Sequence, residues 1–382
     1  MNAVTRIPPP PMTTSTKIST PAYIFDPERV IENYTALRSR LGTRLIVSVK
    51  ANPNFELLQR CAHAFEDGVD IASLGELDLV VGRVRCERYI NTPAWDNTLL
   101  RGAIASRATL IVDDITQAKT LAEVAGAGST IRPVLMRVNV ESLIEPLSGH
   151  GPDHFGMNRD TLVQAARVLS DAGIKVRGLH AFGGSHSFVP RGIALAQAMP
   201  KLVDLIEATT GRKLEFVNLG GGFPRDWRKL DFGPYLEAIT PLAQRLTVAH
   251  ESGRAIFGDA GQYLTRILAV KEFDDRIVAV CDGGMAQNFL LAQTEAAYRN
   301  FQAPRAVARA GASLTQANKP VTLTGSSCNR QDRIGKLGPE ADRPAVGDLY
   351  AFEGCGAYNA TYTVASFLSL RQARVYIGNM LS

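Results

Sequence analysis

The chain has 382 residues, of which 45% are hydrophobic and 21% are charged, the balance of a globular protein with room for more than one domain. Its net charge of +5 is spread without a run of like charges, which argues against nucleic-acid binding. No apolar run approaches the roughly 20 residues of a membrane helix, and the N-terminus lacks a signal-peptide pattern. We therefore expect a cytoplasmic protein that does not bind membranes.

The cysteines and histidines predict neither disulfides nor a metal site. The five cysteines are odd in number and lack CxxC spacing, so disulfides and structural zinc are not indicated. The six histidines form no HxxxH pair on an evident helix. We predict no protein-bound metal.

Residues 1–22, rich in proline, threonine and serine, predict an extended lead-in segment that can pair with a later β domain. From Tyr23 onward, short β-branched runs alternate with amphipathic segments, most of them opened by Asp, Ser or Thr in a capping position. Eight runs are predicted as strands: RLIVSVK, VDIAS, RYINTP, ATLIVDD, RPVLMRVNV, VRGLHAFGG, EFVNLGGG and RLTVAHESG. Eight such repeats predict a TIM (β/α)8 barrel over residues 23–254 rather than a doubly wound sheet.

Residues 255–382 change in character. Five β-like runs separated by turns follow one another there: TRILAVKEF, RIVAVCDGG, PVTLTGSS, DLYAFEGCGAYNATYTV and ARVYIGN. The predicted fold class is therefore an α/β barrel with a second, C-terminal all-β domain.

The ends of the barrel strands are where a TIM barrel carries its active site. Lys50 closes the first run, although a lysine there is by default a solvated strand end. Glycine loops at 183–185 and 220–222 can bring backbone amides to a phosphate, although each is by default a turn. Glu251 and Arg254, by default a surface ion pair, follow the eighth run, where a carboxylate can face a pyridine nitrogen and keep it protonated.

Eight motifs stand in one order along the chain: SVKANPN, VDIASLGE, DHFGMN, FGGSHS, NLGGGFP, ESGR, GSSCNRQD and GAYN. In that order they resemble the pyridoxal-phosphate-dependent decarboxylases of the alanine-racemase-like fold, the group of diaminopimelate, ornithine and arginine decarboxylases. The resemblance covers nearly the whole chain from Tyr23. It implies pyridoxal phosphate as cofactor, decarboxylation of an amino acid by a carbon–carbon lyase, and a homodimer with two shared active sites.

The resemblance also implies roles for individual residues. Lys50 would form a Schiff base with the cofactor, and Cys328 would donate the proton to Cα from across the dimer interface. Cofactor contacts are implied for Asp70, Phe182, Ser185, Gly221, Gly222, Glu251, Arg254 and Tyr358. Substrate contacts are implied for Arg137, His154, Asn329 and Asp332.

Two departures from the family pattern narrow the range of substrates that we expect. Phe182 stands where members acting on basic amino acids have a histidine on the cofactor ring, and we expect His180 to point to the opposite face of its strand. Asn329 stands where they have an acidic residue for the substrate's distal ammonium, and an amide cannot neutralise a buried cation. The chain is more similar to a divergent branch that acts on acylated or carrier-bound amino acids in siderophore and antibiotic pathways, and we expect such a substrate.

Three alternatives stay open. The first is a decarboxylase of free diaminopimelate, ornithine or lysine. The second is an amino-acid racemase of the same fold, although racemases place a catalytic tyrosine where this chain has GSSC and GAYN. The third is a non-enzymatic pyridoxal-phosphate-binding protein, against which the retained β domain and Cys328 argue.

Overall fold

The computed structural model describes residues 18–145, 153–185, 188–292, 303–310 and 315–381. The chain divides into two compact units: Val30–Ile256, here called the barrel unit, and Met1–Arg29 with Phe257–Ser382, here called the β unit. Strand β1 (Ala22–Phe25) pairs antiparallel with residues 261–264 and parallel with residues 374–377 of the β unit. The predicted start of the barrel at Tyr23 differs from this division, because the backbone of residues 22–25 is paired within the β unit. Of the predicted lead-in segment, residues 1–17 lie outside the described part.

The predicted barrel is confirmed: eight parallel strands close on themselves in chain order. They are β2 (Arg44–Ser48), β3 (Val69–Ile71), β4 (Arg88–Ile90), β5 (Thr109–Val112), β6 (Val134–Arg137), β7 (Val176–His180), β8 (Phe216–Asn218) and β9 (Thr247–Ser252). The strands are short, and nearly all of their residues are buried. Burial on both faces is why they appear in the sequence as continuous apolar runs.

Helices connect the barrel strands. They are α1 (Pro27–Leu41), α2 (Phe55–Cys61), α3 (Leu74–Val80), α4 (Asn97–Ala105), α5 (Ile115–Gly126), α6 (Arg159–Asp171), α7 (Phe188–Thr210), α8 (Gly233–Ala243) and α9 (Arg254–Phe257). Side chains cap six of them by accepting backbone N–H bonds: Asp26, Asn54, Ser73, Asp96, Asp114 and Asn158. Among the helices that the structure describes, none is both long and apolar enough to span a membrane.

The interior of the barrel is packed rather than open. One layer of its core consists of Ile46, Tyr89, Ile111, Leu135, Phe216 and Ala249, all fully buried. Tyr89 stacks on Phe216 with ring centroids 6.0 Å apart. Below this layer Glu87 accepts hydrogen bonds from the Tyr89 and Thr109 hydroxyls and pairs with Arg177. Because this packing fills the barrel, chemistry is confined to the ends of its strands.

The β unit contains one mixed sheet. Its further strands are β10 (Gly261–Glu272), β11 (Ile277–Cys281), β12 (Arg305–Ala308), β13 (Val321–Thr324), β14 (Arg333–Leu337), β15 (Leu349–Phe352) and β16 (Arg374–Ile377). The strand order is β12-β15-β10-β11-β13-β14, and β1 joins β10 to β16. The predicted second domain is confirmed as a unit made mostly of β-strands. Two of its strands, β12 and β14, did not appear among the predicted runs, because each is short and carries exposed or charged residues.

Candidate active site

Lys50 forms an ion pair at the end of the barrel where the strands terminate. The run RLIVSVK predicts a strand through Lys50, but β2 ends at Ser48, and Lys50 lies in a single 3-10 turn, Val49–Ala51. Its Nζ donates to Asp70 Oδ2 over 2.8 Å. The Asp70 side chain is fully buried, whereas that of Lys50 is 43% exposed. The amine is therefore held by a buried carboxylate at a partly exposed position.

Asp70 lies in an environment that disfavours its charge. Burial raises the pKa of Asp70, the neighbouring charge of Glu251 raises this pKa further, and the ion pair with Lys50 opposes both effects. The second carboxylate oxygen, Oδ1, is buried and has no hydrogen-bond partner among the described residues. Asp70 thus depends on Lys50, or on a cation in its place, to stay ionised.

Glu251, on β9, is the second buried carboxylate of this end. Its Oε1 accepts a hydrogen bond from Asn218 Nδ2 at 2.7 Å and lies 3.2 Å from His180 Nε2. Burial by itself would raise the pKa of Glu251, but His180, Lys50 and Asn218 together outweigh burial and lower this pKa. Glu251 is therefore ionised at neutral pH, as a carboxylate facing a protonated ring nitrogen must be.

Two glycine loops meet beside Glu251. A Cβ on Gly221 would collide with the backbone oxygen of Glu251, and a Cβ on Gly222 would come within 2.5 Å of the oxygen of Gly184. Gly222 also has a φ of +93°, a conformation that residues with a side chain rarely adopt. The loops after β7 and β8 are thus joined by bare backbone, the kind of surface that backbone amides present to an anion.

The remaining predicted cofactor residues of the barrel unit lie on the same loops or next to them. Phe182 is half-buried and follows β7, against Gly220. Ser185 is exposed in the turn after it. Arg254 is half-buried and is the first residue of α9, directly after β9.

Arg137, predicted to contact substrate, is almost fully buried at the end of β6. Its Nη1 donates to Asp113 Oδ1 at 3.1 Å and to Asn91 Oδ1 at 3.2 Å. The guanidinium carbon lies 4.3 Å from the centroid of the Phe155 ring. His154 is exposed, with its ring 4.0 Å from that of Phe155. The contacts of Arg137 are thus with the barrel itself, and a substrate contact stays a prediction for both residues.

Four predicted site residues belong to the β unit. Cys328 is exposed and its thiol is free, and Tyr358 is half-buried with a φ of +68°. Asn329 is exposed, and its Oδ1 accepts the backbone N–H of Gln331 at 2.8 Å. Asp332 is buried, and its two carboxylate oxygens accept backbone N–H groups. The carboxylate of Asp332 thus holds its own loop, and the predicted roles of all four in the site stay predictions.

Sequence reasoning missed three polar residues of the barrel end. It placed the side chain of His180 on the face opposite to Phe182, and this was wrong: His180 contacts Glu251. Residues two apart on a strand share a face, so the alternation of β7 itself was the signal. Asn218, which donates a hydrogen bond to Glu251, lies just before the glycines of the NLGGG motif. Asn91, after β4, gave no signal because its partners are distant in sequence.

The site has the features that pyridoxal phosphate requires. The cofactor presents an aldehyde, a pyridine nitrogen and a phosphate, and the barrel offers an amine, an ionised carboxylate and a bare glycine backbone. Two buried polar atoms, Asp70 Oδ1 and His180 Nδ1, have no partner among the described residues. Such orphaned atoms fit a site built for a polar molecule. Lys50, Glu251, Gly221 and Gly222 are the residues that would hold it.

Comparison with known proteins agrees with this geometry. Residues 28–265 match the family model described as pyridoxal-dependent decarboxylase, pyridoxal binding domain. A similar sequence is the decarboxylase of the L-glutamyl BtrI acyl-carrier protein from Niallia circulans, 27% identical over 92% of this chain and 87% of its own length. Another is a diaminopimelate decarboxylase from Actinosynnema pretiosum, 27% identical over 90% of this chain and 80% of its own length.

Solved structures share the fold. Diaminopimelate decarboxylase from Helicobacter pylori, complexed with L-lysine, superposes with a TM-score of 0.79 at 20% identity and covers 95% of this chain and 92% of its own. Lysine/ornithine decarboxylase from Vibrio vulnificus, complexed with cadaverine, gives a TM-score of 0.77 at 18% identity, covering 95% and 96%. At these identities the structures show a common fold.

Replacing Gly221 by alanine is expected to weaken pyridoxal-phosphate binding by at least about tenfold, because the new methyl group would displace the backbone of Glu251 and open the glycine loop. Titration of the apoprotein with the cofactor, followed by fluorescence, measures the affinity. The matched control is Gly126→Ala at the end of α5, where a methyl group meets nothing within 4 Å. Unchanged affinity in a folded Gly221→Ala protein would contradict the assignment of this loop to the phosphate.

Proposed function

The chain belongs to the family of pyridoxal-dependent decarboxylases, and from that membership we propose that its substrate is an amino acid with an acylated side-chain nitrogen or one bound to a carrier protein. The protein is a carbon–carbon lyase that uses pyridoxal phosphate to decarboxylate an amino acid. We place this reaction in siderophore or other secondary-metabolite biosynthesis. The cytoplasmic location stays a prediction.

The loop around Cys328 carries the substrate proposal. Asn329 replaces the acid expected there, and its side-chain oxygen is engaged by the N–H of Gln331. The nearby Asp332 is 2% exposed, and its oxygens accept the N–H groups of Met285 at 2.7 Å and Ser327 at 3.3 Å. A substrate ammonium placed at either residue would meet no unengaged carboxylate. Because an unpaired buried cation costs several kcal/mol, this loop favours a substrate whose distal nitrogen is uncharged or absent.

The relatives support two substrate classes. The name of the Niallia circulans protein specifies an L-glutamyl group on an acyl-carrier protein, which favours a carrier-bound substrate. Diaminopimelate decarboxylases match with the same 27% identity, so the free diamino acid is the second candidate. The relatives reported above are all named decarboxylases, and they give no support to a racemase or to a non-enzymatic protein.

The roles that we assign follow from the chemistry of each side chain. Lys50 would hold the cofactor through its amine, with Asp70 beside it as counter-charge. Glu251 holds a proton on the pyridine nitrogen. When bound, pyridoxal phosphate supplies the electron sink for the bond between Cα and the departing carboxylate. Cys328 delivers to Cα the proton that replaces carbon dioxide.

The other predicted residues complete the proposed site. Phe182 offers an apolar face to the cofactor ring. The phosphate is assigned to the amides of Gly221 and Gly222 with Ser185, Arg254 and Tyr358. In the barrel unit, His154 is the exposed candidate for a substrate contact, and Arg137 acts behind it through Phe155.

A substrate panel tests this proposal. Purified protein loaded with pyridoxal phosphate is incubated with an aminoacyl carrier protein, with side-chain-acylated diamino acids, and with free lysine, ornithine and diaminopimelate. We expect carbon dioxide from one of the first two classes and at least about tenfold less from the free amino acids, since the Cys328 loop supplies no acid for their ammonium. Lys50→Ala is the inactive control.

The variant Asn329→Asp sharpens the panel, because it restores an acid beside Cys328 and should raise turnover of the free diamino acids. Asn318→Asp is the matched control, since Asn318 is exposed elsewhere in the β unit. Release of carbon dioxide from free lysine, ornithine or diaminopimelate alone would overturn the proposed substrate class.

The proposed homodimer is tested by complementation. If each active site takes Lys50 from one chain and Cys328 from its partner, Lys50→Ala and Cys328→Ala chains are each impaired, but their hybrid has one intact site. Random mixing of equal amounts makes half of the dimers hybrids, so activity should recover to about a quarter of the wild-type value. Co-expression followed by an assay of carbon dioxide measures this recovery. Activity no higher than the mean of the two variants would rule out shared sites.

A further inference from the structure

We propose that His180 is a positioning residue for Glu251, and that its Nε2–H holds the carboxylate ionised and oriented toward the ring nitrogen of the cofactor. The inference rests on the proposed function, because it concerns the partner of the carboxylate that this function assigns to the cofactor. It adds a residue to which neither the family motifs nor the sequence prediction gave a role in the site.

The geometry around Glu251 carries this inference. Oε1 lies 2.7 Å from Asn218 Nδ2 and 3.2 Å from His180 Nε2, and both donor side chains are fully buried. Because both donors reach the same oxygen, they fix the rotation of the carboxylate plane. Asn218 is in turn held by the backbone N–H of Gly220, which donates to its Oδ1 at 2.9 Å. The carboxylate is thus tied to the glycine loop and to β7 together.

A second set of contacts fixes the imidazole. Asn91 Nδ2 lies 3.4 Å from His180 Nε2, and Arg137 donates to Asn91 Oδ1, which turns the amide nitrogen of Asn91 toward the ring. The ring nitrogen Nε2 therefore faces one acceptor, the carboxylate, and one donor, the amide. The carboxylate is nearer and charged, so a proton on Nε2 is directed to it.

The position of His180 separates it from a purely structural histidine. His250, one residue before Glu251, is also fully buried, but its two nitrogens contact the hydroxyls of Tyr235 and Thr43, so it is satisfied within the barrel wall. The Nδ1 of His180, by contrast, has no partner among the described residues. Nε2 of His180 contacts Glu251, and Nδ1 is a buried polar atom at the end of the barrel that carries the candidate site.

The test uses protein loaded with pyridoxal phosphate carrying ¹⁵N at the pyridine nitrogen. His180→Phe keeps an aromatic ring without a donor, whereas His180→Gln keeps a donor near the place of Nε2. We expect the ¹⁵N resonance in His180→Phe to move toward the unprotonated form, with kcat reduced at least about tenfold and KM within about twofold of wild type. His180→Gln should keep the wild-type resonance and recover most of kcat. His63→Gln, at an exposed histidine, is the control.

The outcomes separate this inference from the proposed function. An unmoved resonance in His180→Phe, with the cofactor still attached to Lys50, overturns the role of His180 alone. Failure of wild-type protein to attach the cofactor to Lys50 overturns the proposed function and this inference with it. If His180→Phe does not fold, His180→Met is the second donor-less variant. A wild-type measurement needs no variant: ¹⁵N-histidine NMR should show Nε2 of His180 protonated, and an unprotonated Nε2 overturns the inference.

Discussion

Two buried carboxylates at one end of the barrel constrain everything around them. Asp70 and Glu251 are both almost inaccessible to solvent, and the charge of Glu251 raises the pKa of Asp70. Two like charges removed from water persist only where each has its own partner. Lys50 serves Asp70, while Asn218 and His180 serve Glu251. The site is organised by this division of partners.

The closed barrel allows Asp70 and Glu251 to have separate partners. Strands β9, β2 and β3 are neighbours, so the register places Ile46 beside Glu251 and Ser48 beside Asp70. The lysine that follows β2 therefore lies between the two acids in the order of the strands, and its charge lowers the pKa of Glu251 as well as that of Asp70. Strands β7 and β8 bring His180 and Asn218 from the other side. The strands thus position Asp70, Glu251, His180 and Asn218, and Lys50 is added by the 3-10 turn directly after β2.

The barrel strands were predictable because strands that are buried on both faces appear in the sequence as continuous apolar runs, and the chain has eight of them. The end of β2 was not predictable, because the apolar run continues through Val49. Val49 is buried in a 3-10 turn, and a buried residue there gives the same hydrophobic pattern as a strand. Lys50 and Asp70 were identified from motifs in register, but their ion pair depends on a contact 20 residues apart in sequence. The error at His180 came from misapplying strand alternation. No local pattern marks Asn91, whose contacts join β4, β6 and β7.

The proposed reaction requires the cofactor to be attached to Lys50. Borohydride reduction of the loaded protein, followed by digestion and peptide mass measurement, tests it most directly. We expect a single pyridoxyl phosphate group on the peptide that contains Lys50. A label on a different lysine, such as the exposed Lys213, or no label on a protein that retains the cofactor, would contradict it.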